Sequence, residues 1–409
     1  MEVRHLLSAL WRSRTGPCLI AVQIAITLAV LVNVTYLIAL RVDTYSQPTG
    51  MDIDNVFWIH SQSFTSDYDQ KNAVASDLQW LNSLPGVTAA AAATSPPQSH
   101  WGFNMPFSAS PDPNAPKENA RIFAMTARGL DALGAKLTAG RAYSAESVGS
   151  PAADIGAAVA QWAPEVVITQ ALAERLFPKG NALGKTLYMG LVNKSAKIVG
   201  IIGTLQAVPI YGPFARFSNQ VVVAPMMPPG PTTIYLVRTK PGRQSEVMAR
   251  VEQEFADRVP GRYIARTEPL ARTSSDARNG MRASSIILGA VTLLVLCVSA
   301  IGICGLAVFN VTTRTRQIGT RRAIGAQRWH ILRYFLVENW LVTTGGVVVG
   351  CILALTAGVI ISHTTQAPRL PLYYLVGGVL LVWTLGLLSV LVPARRAAEI
   401  SPAVATRTV

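Results

Sequence analysis

Four long stretches of the chain are apolar and carry no charged residue. A bilayer core about 30 Å thick needs roughly 20 such residues in a helix, and each stretch reaches that length. Helices buried in a large soluble core are the alternative interpretation, but such helices rarely run this far without a charge. The predicted transmembrane helices are residues 17–40, 283–313 with a cytoplasmic extension, 339–362 and 370–392.

The first stretch could also belong to a cleaved signal peptide. Its apolar run is longer than the usual range of about 7–15 residues, and no clear A-x-A cleavage site follows it. We therefore expect a permanent helix. Residues 1–16 before it alternate apolar and arginine positions at helical spacing, which predicts an amphipathic helix on the inner membrane surface or, equally well, a plain topology anchor.

Between the first two spans, in residues 41–282, the pattern changes to shorter helical and strand-like segments. Helical spacing predicts helices at 68–84, 168–177 and 244–259, and apolar runs predict strands at 56–59, 121–126, 197–202, 220–223 and 233–238. Breaks rich in proline and serine suggest an outer lobe at about 117–225, inserted into a membrane-proximal lobe. The predicted fold is an α-helical membrane protein with four transmembrane helices and a mixed α+β, two-lobed domain between the first and second.

The composition agrees with a membrane protein, since 50% of the residues are hydrophobic and 14% are charged. All four cysteines lie in predicted spans, at positions 18, 297, 304 and 351. The domain between the first two spans therefore has no disulfide framework and must rely on its own hydrophobic core.

Arginines concentrate in three places: the amino-terminal tail, the segment 314–338 and the tail 393–409. Because positive charge accumulates on the cytoplasmic side of short loops, these three are predicted to be cytoplasmic. The segment 42–282 holds 22 basic and 19 acidic residues, so it contributes only +3 to the net charge of +14. The basicity is therefore a topology signal, and nucleic-acid binding is not predicted.

The stretch "LFPKGNALGKTLYMG", residues 176–190, ends in a Gly-Lys-Thr similar to a phosphate-binding loop. Its two glycines, Gly180 and Gly184, are one residue too close, and a helix precedes the motif where a strand is needed. We interpret both as turn glycines. The five histidines are scattered without ligand spacing, no catalytic triad is visible, and no charge lies mid-span for an ion relay. No catalytic or metal site is predicted, so energy must come from a partner.

The segment 314–338 is the candidate for contact with that partner. Gly325 and Ala326 predict a turn, and the helix after it has apolar positions beside Arg328, His330 and Arg333. The apolar positions are Trp329, Ile331, Leu332, Phe335 and Leu336. A short cytoplasmic helix of this kind can dock in a groove of another subunit, and the alternative is a topology anchor on the membrane surface.

Small residues recur every four positions in the third span, at Gly346, Gly350, Ala354 and Gly358. Such a stripe lets another backbone approach closely, so it predicts a contact face within the helix bundle or between subunits. Ordinary tolerance of glycine in membrane helices is the alternative.

Five segments resemble MacB/FtsX-type ABC transporter permeases. Three lie in the domain: residues 176–190 quoted above, "LPGVTAA" at 84–90 and "LGAKLTAGRAYSAES" at 133–147. The other two are "RTRQIGTRRAIGAQRWHILRYFLVENW" at 314–340 and "PARRAAEISPAVATR" at 393–407. One position departs from the family pattern, because Gln317 stands where the family commonly has glutamate.

The resemblance implies a non-catalytic permease subunit in the bacterial inner membrane, with both termini cytoplasmic. It implies a dimer with an identical copy or a paralogue, a separate cytoplasmic ATPase subunit that binds ATP and magnesium, and a periplasmic adaptor with an outer-membrane channel. The implied function is export of an antibiotic, peptide or toxin. The residues it implies for ATPase coupling are Gln317, Gly319, Arg321, Arg322, Gly325, Ala326, Arg328, His330 and Ile331.

Three other functions are compatible with this layout. A lipoprotein-releasing permease shares the arrangement of helices and domain. A regulator of cell-wall hydrolysis of the FtsX kind usually has a much smaller external domain. A membrane receptor with an external sensor domain would normally carry a large cytoplasmic output domain.

Overall fold

The computed structural model describes residues 15–65, 68–99, 101–192, 194–207, 217–258, 261–365 and 368–399. It divides the chain into two compact units, Met1–Val42 with Ala283–Val409, and Asp43–Arg282. Most of the predicted amino-terminal amphipathic helix and of the carboxyl-terminal tail lies outside the described residues.

The described helices, in chain order, are α1 Thr15–Ser46, α2 Gln70–Ser83, α3 Gly129–Leu133, α4 Ile155–Ala160, α5 Gln170–Leu176, α6 Gln244–Glu254, α7 Leu270–Thr313, α8 Thr315–Ala323, α9 Arg328–Thr365 and α10 Leu372–Glu399. The strands are β1 Val56–Ser63, β2 Val87–Ala93, β3 Asn104–Ser108, β4 Glu118–Met125, β5 Leu137–Gly140, β6 Glu165–Thr169, β7 Thr186–Met189, β8 Lys194–Ile202, β9 Val221–Pro225, β10 Thr232–Thr239 and β11 Arg262–Pro269.

The helical unit contains the four helices of the described chain that are long and apolar enough to cross a membrane: α1, α7, α9 and α10. Ile24, Leu28 and Val32 of α1 are buried in its core. Much of the surface of α7 is exposed and apolar, for example at Ile287 and Ile301. Helices in a bilayer can expose such residues because lipid tails are as apolar as the side chains.

All four of these helices extend beyond the predicted spans, and α7 and α9 do so over several turns. α7 begins at Leu270, before the apolar stretch that starts at residue 283, and no proline interrupts it. α9 begins at Arg328, inside the segment that we assigned to a coupling loop and helix. The apolar run therefore defines how much of each helix can lie in a membrane, but the helix itself continues into polar sequence.

The second unit is built on a sheet of eleven strands, in the order β11-β1-β10-β2-β4-β3-β7-β8-β6-β9, with β5 paired to β8. β1 lies between two antiparallel partners, so that Trp58 is opposite Leu236 on β10 and Glu268 on β11. β2 meets β4 through the pair of Ala93 and Met125.

The far end of this sheet closes on itself. β4 pairs with β3, β3 with β7, β7 with β8, β8 with β6, β6 with β9, and β9 pairs in parallel with β4 again. Alternate residues of these strands, such as Ile122, Val166, Leu187 and Val222, form one hydrophobic core. The neighbouring positions on β4, β6 and β9 point to the opposite face, because side chains alternate along a strand.

Those opposite-facing residues join a second core, in which Phe123, Val167 and Val223 pack with Val56 and Leu236 of β1 and β10. A third core lies on the other face of β1 and β10, under α2 and α6. The second core includes residues of both regions that we assigned to separate lobes. The two-lobed arrangement therefore stays a prediction, while the mixed α and β character of the domain is observed.

The predicted elements of the domain are present with shifted ends. The helix predicted at 244–259 ends as an α-helix at Glu254, followed by a short 3-10 turn. The strand predicted at 56–59 continues to Ser63, because β1 pairs with β10 and β11 along that length. Short apolar runs indicated where strands lie, whereas their ends depend on pairing partners that a single sequence does not reveal.

A fully buried ion pair crosslinks this domain. Asp77 of α2 accepts hydrogen bonds from Arg262 of β11 and from the hydroxyl of Tyr235 on β10. Arg262 also donates to the carbonyl of Phe255, at 2.7 Å, and its guanidinium lies over that ring. Burial, and then the neighbouring Asp77, raises the pKa of Tyr235 well above its usual value, so the phenol remains a donor.

A second buried carboxylate, Glu165, begins strand β6. It accepts hydrogen bonds of 2.6 Å each from the Arg141 guanidinium, the backbone N–H of Ser144 and the Ser147 hydroxyl. Burial opposes ionisation of this carboxyl, but the three hydrogen bonds outweigh burial and lower the pKa to about 2. The charged glutamate thus ties the start of β6 to the loop after β5.

Candidate coupling site

Gly325 ends helix α8 with a geometry that favours glycine. Its φ is +104°. The N–H of Gly325 donates to the carbonyl of Arg322, and the N–H of Ala326 donates to that of Arg321. This pair of bonds is a Schellman motif, in which a glycine in a left-handed conformation satisfies the last carbonyls of a helix. The predicted turn therefore has a specific form, and it turns the chain from α8 into α9.

The next helix starts with a local cap. The backbone N–H of Gln327 donates to Nδ1 of His330, at 3.3 Å, and the N–H of His330 donates back to the carbonyl of Gln327. His330 was predicted to contact a partner. Its ring caps the start of α9, and the residue is exposed, so contact with a partner stays a prediction.

An ion pair joins the two ends of the segment 314–338. One terminal nitrogen of Arg314, Nη1, lies 3.0 Å from each carboxylate oxygen of Glu338 and 3.5 Å from the Tyr334 hydroxyl. Glu338 is only 7% exposed. The guanidinium of Arg321 lies over the Tyr334 ring, 5.1 Å from its centroid. These contacts hold the end of α7 and helix α8 against α9.

Apolar side chains fix the inner face of the same segment. Ile318, Ile331 and Phe335 are buried in the core of the helical unit, which also contains Ala394 and Ala397 of α10. Ile331 was predicted to contact the partner, but it faces this core. Gly319 is buried as well. We therefore assign both residues to the attachment of the segment rather than to its outer surface.

The outer face of the segment is basic with two exposed apolar side chains. Among the predicted residues, Gln317, Arg321, Gly325 and Arg328 are exposed, whereas Arg322 and Ala326 are half-buried. Trp329, which we placed on the apolar face of the helix, is 60% exposed. The neighbouring turn presents Ile324, 83% exposed. We call this set of exposed residues the outer surface of the segment.

The stripe of small residues on α9 faces α1 of the same chain. A Cβ at Gly346 would lie 2.7 Å from the carbonyl oxygen of Ala21, and one at Gly350 would lie 3.0 Å from the Cα of Ala25. A Cβ at Gly358 would lie 3.3 Å from Oδ1 of Asn33. The Asn33 amide donates to the backbone carbonyl of Ala354, at 3.1 Å. In this structure α1, and not a second copy, occupies the face of the stripe.

Gly180 and Gly184 both have positive φ angles, +82° and +81°, in the turn between α5 and β7. Helix, turn and strand follow in that order, which is not the order of a phosphate-binding loop. In the described part of the chain, no cluster of three or more histidine, cysteine, aspartate or glutamate side chains could hold a metal ion.

Sequence reasoning missed the ion pair of Arg314 and Glu338 and the exposure of Ile324. A signal for the first was present, because Glu338 is the only acidic residue in the segment 314–338. A lone acid that ends a run of arginines can be expected to pair with one of them. Nothing in the periodicity marks Ile324, whose exposure results from its place at the end of α8.

The fold defines a class: a chain with four apolar helices of membrane-spanning length and a large folded domain between the first and the second. Family comparison agrees. Residues 18–254 match the model of the MacB-like periplasmic core domain, and residues 289–402 match that of the FtsX-like permease carboxyl-terminal domain. The chain belongs to the MacB/FtsX-type ABC transporter permeases.

Several proteins of this family are similar to the chain. The macrolide export ATP-binding/permease protein MacB of Marinobacter nauticus is 28% identical over 253 residues, which are 59% of this chain and 38% of that protein. MacB of Neisseria gonorrhoeae is 25% identical over 295 residues, 69% of this chain and 42% of that protein. The pyoverdine export ATP-binding/permease protein PvdT of Pseudomonas entomophila is 29% identical over 259 residues, which are 60% of this chain and 37% of that protein.

The chain thus aligns with about two fifths of the length of these relatives. Among solved structures, the periplasmic region of MacB from Actinobacillus actinomycetemcomitans covers 56% of this chain and 95% of its own, at 12% identity and a TM-score of 0.33. The family assignment rests on the family models, and this structural likeness adds nothing to it.

Proposed function

We propose that this chain is the membrane-spanning, force-transmitting part of an ABC exporter. ATP and magnesium bind to ATPase subunits outside these 409 residues. ATP-driven closure of two such subunits moves the segment 314–338, and the helical unit passes the motion to the domain formed by residues 43–282. The relatives whose names specify export of a macrolide or of pyoverdine support export as the outcome.

The observation that carries the proposal is the two-sided character of the segment 314–338. Its inner face is buried in the helical unit, and the ion pair of Arg314 with Glu338 holds it there. A displacement of the segment is therefore transmitted to α7 and α9. Its outer surface offers arginines beside exposed Ile324 and Trp329. Exposed aromatic and arginine side chains are enriched where proteins bind one another.

The remaining parts of the proposal follow from the family and the charge distribution. The chain acts as a dimer with an identical copy or a paralogue in the bacterial inner membrane, with both termini cytoplasmic. A periplasmic adaptor and an outer-membrane channel receive the substrate, an antibiotic, peptide or toxin.

Cysteines introduced at Ala323 and Asp54, both exposed, test the orientation of the chain in the membrane. Membrane-impermeant maleimide should reach position 54 in intact spheroplasts and position 323 only after lysis.

The test of the coupling role uses the chain reconstituted with a candidate ATPase subunit in nanodiscs. We expect Gly325→Pro and Arg328→Glu to reduce ATPase association, and to abolish the ATP-dependent change in distance between spin labels on the domains of two copies. Arg395→Glu is the matched control, because Arg395 is exposed on α10 and lies outside the segment. Unchanged association and motion in both segment variants would leave the segment as a topology anchor and refute the coupling role.

A further inference from the structure

A cleft lies over the edge of the sheet in the second unit. Its floor is one face of β1 and β11, where the cross-strand partners are Trp58 with Glu268 and His60 with Arg266. Pro96, Gln98, Ser99 and Trp101 form one wall, and the first turns of α7 form the other, through Thr273, Asp276 and Ala277. The cavity volume is about 330 Å³, which is at the lower end of the range for pockets that hold small organic molecules.

The polar groups of the floor are held in one arrangement. Nε1 of Trp58 donates to the Thr273 hydroxyl, at 2.8 Å, and that hydroxyl donates to Glu268, at 2.7 Å. The other carboxylate oxygen of Glu268 pairs with Arg266, whose guanidinium lies 5.6 Å from the Trp58 ring centroid. Because these groups satisfy one another, a ligand could use the cleft without first reorganising its floor.

Trp101 gives the cleft an open aromatic surface. This side chain is 47% exposed, and its ring meets the rings of Trp58 and His60 edge-on, at centroid distances of 6.2 and 5.1 Å. Exposing half of a tryptophan beside a cavity leaves apolar area in water that a planar ligand would cover. Burial lowers the pKa of His60, so its imidazole adds no positive charge beside Trp101 at neutral pH.

The charge of the lining selects the type of ligand. Arg266 and Glu268 neutralise each other as an ion pair. Asp276, exposed on the α7 wall, then leaves the lining with one net negative charge. An aromatic face beside a carboxylate attracts a cation through the ring quadrupole and through the opposite charge.

We propose that this cleft binds an apolar organic cation, with its hydrophobic ring against Trp101 and its ammonium group beside Asp276. Binding at this cleft does not require that the protein exports anything, so it can be measured on the chain alone. The hydrogen bonds of Thr273 connect the floor to the start of α7, so a bound molecule would also contact the helix that continues into the second span.

The experiment measures binding of three matched probes to the full chain in nanodiscs by equilibrium dialysis, with empty nanodiscs subtracted. The probes are 1-naphthylmethylamine, the neutral 1-naphthylmethanol and the anionic 1-naphthoic acid. We expect saturable binding of one amine per chain, about twofold to fivefold tighter than the alcohol, as for one exposed opposite charge. The acid should bind more weakly than both.

Two variants locate the binding. Asp276→Asn should weaken binding of the amine to the affinity of the alcohol, and it should leave binding of the alcohol unchanged. Trp101→Ala should weaken binding of both probes by on the order of tenfold. Asp54→Asn and Phe64→Ala are matched controls, because both side chains are exposed elsewhere in the domain. The proposal would be overturned if the amine showed no saturable binding, or if the acid bound as tightly as the amine or more tightly. It would also be overturned if both cleft variants bound the amine as tightly as wild type. If the chain bound the amine but took no part in export, the proposed function would be refuted and the cleft proposal would stand.

Discussion

The guanidinium of Arg314 and the carboxylate of Glu338 form an ion pair across the segment 314–338, with Nη1 at 3.0 Å from both carboxylate oxygens. The two residues flank the only part of the helical unit in which the described chain leaves one membrane-length helix, forms a short helix and turns into the next. The pair therefore fixes the orientation of α8 relative to α9.

Breaking that pair should uncouple the segment while leaving its outer surface intact. Glu338→Gln leaves the half-buried Arg314 without its counter-charge, which we expect to destabilise the helical unit by about 2 kcal/mol. ATPase association should persist, but stimulation of hydrolysis should fall severalfold. The double exchange Arg314→Glu with Glu338→Arg should recover part of the stimulation. Arg395→Gln, at an exposed arginine of α10 outside the segment, should change neither the stability nor the stimulation.

Replacing Gly325 tests the Schellman motif. Alanine at a φ of +104° is strained by about 1 kcal/mol or more, although a Cβ there would meet no atom within 4 Å. We expect amide hydrogen exchange at the end of α8 to accelerate about fivefold. Gly305→Ala is the control, since Gly305 lies within α7 and its Cβ would also meet nothing. If the amides at the end of α8 exchanged equally slowly in both variants, the Schellman motif would be contradicted.

Two adjacent glycines of α9 offer a matched test of its packing on α1. Gly346→Ala places a methyl group 2.7 Å from the Ala21 carbonyl oxygen, whereas Gly345→Ala meets nothing within 4 Å. We expect the first change to lower stability by about 1–3 kcal/mol and the second to leave it within about 0.5 kcal/mol. Thermal unfolding of the purified chain in detergent measures both, and similar midpoints would exclude the close contact with α1.

The buried pair of Asp77 and Arg262 should matter far more than a surface ion pair. Asp77→Ala leaves a guanidinium buried without its carboxylate, which typically costs about 3–5 kcal/mol. The double variant Asp77→Leu with Arg262→Met removes both charges and should recover most of that loss. Denaturant unfolding followed by tryptophan emission gives the comparison. A double variant as unstable as the single one would show that the charges themselves stabilise the domain.

Stability of the domain should fall in acid through Glu165. Its pKa in the folded protein is about 2, against 4.5 for an ordinary glutamate, so its contribution is complete above 4.5 and is lost as the pH falls toward 2. The full contribution is about 3 kcal/mol. The stability difference between wild type and Glu165→Gln should therefore shrink between pH 5 and about pH 2. A difference independent of pH over that interval would exclude this assignment.

The sequence predicted the four apolar helices because an uncharged run of that length has few other uses. It also placed a turn at Gly325 and turns at Gly180 and Gly184, where the structure has positive φ angles. It did not predict which residues of the coupling segment face inward. Ile331 and Gly319 looked suitable for partner contact, yet both are buried, since the inner face of α8 depends on how α9 and α10 pack beneath it.

The domain shows a similar limit. Strand positions could be predicted from apolar runs such as 197–202, but the closure of six strands depends on the parallel pairing of β4 with β9, whose residues lie about 100 positions apart. The cleft beside Trp101 joins residues from β1, β11, α7 and the loop after β2. No local pattern marks such a set, because its members meet only through the topology of the sheet.

The closed set of β3, β4, β6, β7, β8 and β9 has a consequence for aggregation. Each of those strands has a hydrogen-bonded neighbour on both sides, so none offers a free row of amides to another polypeptide. Two strands of the sheet, β5 and β11, have a single hydrogen-bonded neighbour. β11 exposes Arg266 and ends in Pro269, and both features discourage strand addition. In a domain without cysteines, this closure thus reduces the number of strand edges at which copies of the chain could aggregate.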